Sequence, residues 1–247
     1  MPIIKTAIPL ILFAFSSSAL SAGNTTIDSF NKAKRTLERE VYQDHRVTLY
    51  CEAQFDAQKN VQRPDGFVTT KHKKRSKRVE WEHVVPAQNF GQAFSEWRDG
   101  DKQCVSSKGK SFKGRRCAEK MNKEYRYMQA DMHNLFPAIG AVNALRSNYN
   151  FTMLSEEKTD FGSCDMRIND RKAQPPVPSR GRIARTYMYM DSTYPKYQMS
   201  SQQRQLMNAW DKQDPVTQWE CRRSKRIENL QGNANAIVNS RCEVATF

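Results

Sequence analysis

The sequence predicts a single mixed α+β domain over residues 23–247. Three observations carry that expectation. Strand-type alternation is concentrated before residue 86, helical periodicity fills the last third, and neither a repeat nor a low-complexity linker divides a chain of 247 residues.

Taken in order, residues 1–22 read as a secretory leader. One charge, Lys5, precedes an apolar run over 7–15 that is too short to cross a bilayer and gives way to small residues. Cleavage is expected between Ser21 and Gly23, where Ala19-Leu20-Ser21 and Ser21-Ala22-Gly23 both satisfy the small-x-small rule. No later stretch is long and apolar enough to span a membrane, so the mature protein is expected to be periplasmic or secreted, with no membrane partner.

Ser29 to Tyr42 reads as a helix, with Phe30, Ala33, Leu37 and Val41 or Tyr42 on one face and Asp28 as its cap. Val47, Leu49 and Cys51 alternate as in a strand over 46–51. After the turn signal Pro64-Asp65-Gly66, residues 67–70 and 78–85 are expected to pair as a two-stranded ribbon. Phe90, Phe94 and Trp97 mark a helix over 87–97, and 99–116 is a Gly, Ser and Lys rich loop. A further helix is expected over 118–130, and another from Pro137, a favourable first helical residue, to Ser147. Short strands are expected over 149–154 and 164–168, with Pro175 to Pro178 breaking the chain. Helices follow over 181–190, over 202–212 with Ser200 and Gln203 as a capping box, and over 216–230, opened by Asp214-Pro215 and closed by Gly232. Met188, Met190, Leu206, Met207, Trp210 and Trp219 are expected to pack these helices together.

The formal net charge is +14, and removing Lys5 with the leader leaves 39 basic against 26 acidic residues. Such a field concentrates polyanions, although moderate basicity also serves solubility. Six cysteines, all after the leader, suit three disulfides in an oxidising compartment. A zinc site is disfavoured because no Cys-x-x-Cys pair occurs. The short spacings favour Cys104–Cys117 and Cys221–Cys242, leaving Cys51–Cys164.

The chemistry is expected around Glu82 and His83. They close the alternating stretch Arg78-Val79-Glu80-Trp81-Glu82-His83-Val84-Val85-Pro86, directly after a run with six Lys or Arg in residues 71–78. A carboxylate suits a hard cation and a neutral imidazole accepts a proton near pH 7. Adjacent strand residues point to opposite faces, so a strand end at Pro86 or a bulge is needed to bring both to one site. A histidine here can equally be a surface group without a task, and either Glu80 or Glu82 can simply pair with Arg75 or Arg78. A second cluster, Asp131-Met132-His133-Asn134, precedes Asn143 and Arg146, three apart on one helical face. They offer a neutral oxygen ligand and a guanidinium fork for a phosphate, or a merely solvated face. Asp131, His133 and Asn134 are expected to serve as caps or turns.

These motifs, continued by Pro137-Ala138-Ile139-Gly140, Arg146-Ser147-Asn148, Ile183-Ala184-Arg185-Thr186-Tyr187, Trp219-Glu220-Cys221 and Gln231-Gly232-Asn233, closely resemble the bacterial endonuclease I family of periplasmic and secreted nucleases. The resemblance covers nearly the whole mature chain. It implies a ββα-metal finger core with a helical C-terminal part, His83 as general base, and Glu82 and Asn143 as ligands of one Mg²⁺, with Mn²⁺ as a substitute. It further implies sequence-nonspecific hydrolysis of DNA and RNA to 5′-phosphate ends, and the protein is expected to be a monomer. Phosphate-binding candidates are Arg75, Arg78, Arg146, Lys102, Arg115 and Arg116. The family's Gly-Gly-Arg-Lys segment, whose Arg is taken to clasp the scissile phosphate, corresponds here to Arg98-Asp99-Gly100-Asp101-Lys102, before a loop with Lys108, Lys110, Lys113, Arg115 and Arg116. Ala234 and Ala236 stand where His and Pro are common, altering a helix end, and the usual four disulfides reduce to at most three. The competing reading is an exported DNA- or heparin-binding protein on the same fold without turnover, and the altered segment at Arg98 to Lys102 is its support.

Overall fold

The computed structural model describes residues 23–155 and 158–247, so the leader expected at residues 1–22 lies outside the described residues. The first helix forms where the apolar spacing put it. Phe30–Thr36 (α1) is capped by Ser29, not Asp28, through its hydroxyl and the Lys32 amide at 3.3 Å, and continues as a π-helical turn over Leu37–Val41.

Residues 46–51 do not form the expected strand. The chain reverses at Glu52 (φ 50°), Thr48 N–H donates back to Ala53 O, and only Val47 bridges to Gln54. Gln54–Phe55 (β1) and Val61–Gln62 (β2) make a short antiparallel pair. After a 3₁₀ turn at Arg75–Lys77 comes Val79–His83 (β3). Its partner is not 67–70, since Val68 N–H goes to Phe161 O and Phe67 bridges Gly162. Instead Leu135–Ile139 (β4) pairs with it antiparallel, from Val79↔Ile139 to His83↔Leu135.

Pro137 therefore lies inside a strand rather than opening a helix. Gly140 N–H donates to Arg78 O and Val84 N–H to Asn134 O, which sets the phase of the ladder. In that phase Pro137, opposite Trp81, occupies a position whose amide nitrogen faces away from β3. The missing N–H costs nothing there, and the Pro137 carbonyl on the outer edge accepts Leu49 N–H at 2.8 Å.

Between the two strands, the expected helix over 87–97 is two short ones, Ala87–Gly91 (α2) and Ser95–Arg98 (α3). The next is likewise divided into Arg115–Met121 (α4) and Lys123–Gln129 (α5), because Asn122 is extended and its side chain caps the second from the Tyr125 amide. After β4 comes Gly140–Arg146 (α6), packed on both strands and on the 3₁₀ turn. Asn150–Phe151 (β5), Arg167–Asn169 (β6) and Lys172–Gln174 (β7) form a small sheet in the order β5-β7-β6, in which β7 was not anticipated.

The C-terminal part is helical: Arg180–Thr193 (α7), Ser201–Gln213 (α8) capped by Ser200, Gln218–Gln231 (α9) capped by Thr217 and ended by left-handed Gly232, and an unanticipated Ala236–Val244 (α10) capped by Asn235. Two apolar clusters result. Trp81 and Leu135 face the smaller one with Leu37 and Val41 beneath α1, while Phe136 and Ala138 face the larger one with Tyr187 and Trp210. The β3–β4 pair thus stands between them. Disulfides join Cys51–Cys164, Cys104–Cys117 and Cys221–Cys242. No described helix is long and apolar enough to cross a membrane.

Candidate active site

Apart from Val79 N–H to Lys59 O at its start and Arg146 Nη1 to His83 O at its end, the backbone of β3 is bonded to β4 alone among the described residues, so the middle of its far edge is open. A cleft of about 420 Å³ lies at this edge, lined by Glu82, His83, Asn143 and Arg115 together with Phe30, Trp81 and Trp97. Glu82 and His83 point to opposite faces of β3, as alternation requires. Both reach the cleft because it wraps the strand's free edge and end. Glu82 faces α6 and Tyr50, whereas the His83 ring meets Phe30 of α1 at 4.8 Å.

Glu82 is 3% exposed. Its Oε1 accepts the Tyr50 hydroxyl at 2.7 Å and Arg146 Nη1 at 2.5 Å. No described donor reaches Oε2, which is not sealed from solvent and is left to the cleft. Burial pushes this carboxyl above its ordinary value, while Arg146 and the Tyr50 hydrogen bond pull it back.

Asn143 is oriented in a complementary way. Its Nδ2 donates to Glu80 Oε2 at 2.9 Å, and since a carboxylate only accepts, Oδ1 is the atom left free. Glu80 is in turn held by Arg75, with Nε at 2.7 Å and Nη2 at 2.5 Å. Gly140 permits this approach: a β-carbon there would lie 2.6 Å from Arg75 O and 2.8 Å from Glu80 Oε1.

His83 Nε2 contacts the Gln129 carbonyl at 2.8 Å, so Nε2 carries the proton and Nδ1 presents its lone pair toward the cleft. Arg115 Nη2 lies 3.4 Å from Nδ1. Burial first, then the Arg115 charge, lowers the His83 pKa to about 3, so the ring is neutral near pH 7.

The phosphate-binding candidates separate. Arg115 opens α4, next to Cys117 of the disulfide to Cys104, and lines the cleft. Arg116 instead lies over Phe112 at 4.8 Å, and Lys102 lines a separate cavity with Asp99 and Lys113. Arg78 is exposed beside a neighbouring cleft. Arg75 is partly exposed and bonds Glu80 through Nε and Nη2. One expectation is corrected. Arg146 is fully buried, donating to Glu82, His83 O and Val84 O, so it braces the strand end and cannot receive a phosphate. Asp131 caps the His133 amide and Asn134 clasps both backbone groups of Val85, the structural roles expected of them.

The profile of the Endonuclease I family matches residues 24–242. The chain belongs to the endonuclease I family. Among endonuclease I relatives, it is 39% identical to an extracellular deoxyribonuclease of Aeromonas hydrophila over 97% of this chain and 99% of that one. It is 39% identical to a periplasmic deoxyribonuclease of the same organism over 87% of both chains. An Endonuclease-1 of Buchnera aphidicola subsp. Acyrthosiphon pisum is 36% identical over 94% of this chain and 89% of that one. Within this endonuclease I chain, Gly114-Arg115-Arg116 repeats the Gly-Arg-basic order expected at 98–102 and, unlike that segment, reaches the cleft. Sequence reading did not anticipate Tyr50 or Phe30 at the site. Tyr50 carries no local signal, whereas Phe30 was assigned to the apolar face of α1.

Proposed function

We propose that this protein is an exported, sequence-nonspecific endonuclease that hydrolyses phosphodiester bonds of DNA, and of RNA, to 5′-phosphate ends with the help of Mg²⁺. The observation that carries this is the convergence of Glu82 Oε2, Asn143 Oδ1, His83 Nδ1 and the Arg115 guanidinium on one cleft. In this reading β3, β4 and α6 are the two strands and helix of a ββα-metal finger. Glu82 and Asn143 would hold the cation. Two hard oxygens, each left free by a partner that occupies the neighbouring atom, suit an ion that keeps several waters, and no cluster of three His, Cys, Asp or Glu occurs among the described residues as an alternative. When bound, the ion supplies charge neutralisation at the phosphoryl and leaving 3′ oxygens.

The protein's own groups do the rest. His83 Nδ1 takes a proton from the attacking water, and the Gln129 carbonyl on Nε2 fixes the ring and favours the imidazolium that results. Arg115 binds the scissile phosphate. A polyanion at Arg115 would also offset the charge that depresses His83 and so strengthen the base. Contacts of this kind are to phosphates, which position a strand without reading bases. All these groups come from one chain, consistent with a monomer. The leader at 1–22 and the extracellular or periplasmic names of relatives support export. The binding-only alternative loses its support, since the segment at Arg98 to Lys102 lies outside the cleft and Arg115 lies inside it.

Plasmid nicking with and without EDTA tests the proposal. Chelation should abolish nicking, and His83→Ala should lower it by about 10²–10⁴-fold while the protein stays folded. Undiminished nicking by that variant would remove His83 as the base.

A further inference from the structure

A second cleft of about 440 Å³ adjoins the first, sharing Phe30, Trp81 and Asn143 as walls. Its floor is the start of β3 and its side is α1, which contributes Lys34 and Arg35. Lys59 and Arg78 complete the lining. The acidic groups present are already engaged, Glu38 by Lys59 at 3.0 Å and Glu80 by Arg75. Lys34, Arg35 and Arg78 have no ion pair among the described residues. Lys34 Nζ lies 4.5 Å from the centroid of the half-buried Phe30 ring, which separates the two clefts and touches His83 on the catalytic side. Burial, then the charges of Lys59 and Arg115, holds the Lys34 ammonium below its ordinary pKa, as expected in a concave electropositive pocket.

We infer that this second cleft is a subsite for the phosphodiester backbone of the strand being cut, with Lys34, Arg35 and Arg78 binding phosphate beside the scissile one and Phe30 walling the passage between the two. The inference rests on the nuclease reading for its ligand. It extends that reading from one phosphate to a strand path, because a cleft that adjoins the catalytic one across Phe30 and presents three cations without an ion pair suits a polymer of regularly spaced anions.

Fluorescently labelled oligothymidylates of increasing length, titrated in EDTA so that nothing is cut, provide the test. The wild-type protein should bind more tightly as the oligonucleotide becomes long enough to enter both clefts, with a steep salt dependence. Lys34→Ala/Arg35→Ala should lose most of that gain, bind the longer probes about tenfold more weakly or worse, and flatten the salt slope by about 0.7 for each phosphate that is no longer bound. Lys34→Arg should retain it. Arg78→Gln, at an exposed position without an ion pair, repeats the test should α1 not tolerate the double change. Wild-type affinity independent of length, or variants that keep both the gain and the slope, would overturn the subsite. Length-dependent binding by a wild-type protein that never nicks plasmid would instead overturn the nuclease reading and leave the subsite standing.

Discussion

Two arginines lie inside this protein against carboxylates, and they are satisfied to different degrees. Arg185 of α7 donates to both oxygens of Glu220 at 2.7 Å, to Asp211 at 2.9 Å and to Asp214 O at 2.9 Å. Asp211 is further shared with Arg241. That network is closed, as a buried charge cluster with a purely structural role should be. Arg146 of α6 meets only one oxygen of Glu82, donates from Nη1 and Nη2 to two carbonyls, and has no partner for its Nε among the described residues. Glu82 keeps one oxygen free at the cleft. A closed network leaves no oxygen for a ligand, whereas the cleft-facing oxygen of Glu82 is what the proposed cation binding requires, and the two sites should therefore respond differently to Mg²⁺.

The largest effect should come from opening the closed network. Arg185→Met strands Glu220 in the interior and should cost about 3–5 kcal/mol in urea unfolding, with no recovery on adding Mg²⁺. Arg146→Met should also destabilise, but part of that stability should return with Mg²⁺, by about 2–3 kcal/mol at a hundredfold excess over the dissociation constant, because the cation takes over the charge on Glu82. Equal response of the two variants to Mg²⁺ would erase the distinction. A smaller change is expected from Glu80→Ala, which releases Asn143 Nδ2 and so frees the amide to rotate. The Mg²⁺ concentration for half-maximal nicking should rise about 10–100-fold, with the saturated rate little altered. An unchanged midpoint would mean that Asn143 needs no orienting partner.

The same contrast separates what could be read in advance from what could not. β3 was legible because Trp81 and His83 alternate with Glu80 and Glu82 before Pro86, and the family motifs pointed to Glu82, His83 and Asn143. Its partner strand was not, since Pro137 fits the first residue of a helix equally well; only the phase set by Arg78 and Gly140 makes it acceptable in a strand. Asn143 and Arg146 share a helix by spacing, yet nothing local says that Arg146 turns inward, because its partners Glu82 and Val84 come from a segment sixty residues away. Arg115 was one candidate among several. The order Gly114-Arg115-Arg116 was available as a signal, but it lies beyond its expected place, at the far end of the loop closed by Cys104–Cys117. Helix α10 and strand β7 went unanticipated, being short elements stabilised by what they pack on rather than by their own periodicity.

The smallest expected effect concerns two buried histidines, which repeat the contrast in another form. His83 turns Nδ1 to the cleft and Arg115, whereas His133 bonds through Nε2 to Asn233 O at 3.1 Å and has its buried Nδ1 without a partner among the described residues. Burial lowers the pKa of both, that of His83 to about 3. In the unfolded chain an imidazole titrates near about 6.5, so below that pH the unfolded state binds protons that the folded state refuses. Their contribution to stability is therefore fully present above about 6.5 and is lost as pH falls toward the folded values. Glu82, raised by burial, acts in the opposite sense: its contribution is present at low pH and declines as pH rises through its folded value. Comparing wild type with His133→Gln isolates the sealed histidine. Their difference in unfolding free energy should shrink as pH falls from about 7.5 to about 5.5, and a constant difference would refute the assignment. Adding an oligonucleotide should raise the pKa of His83, followed by its imidazole proton shifts, because phosphate offsets Arg115. It should leave His133 unmoved, since nothing anionic reaches that ring from the cleft.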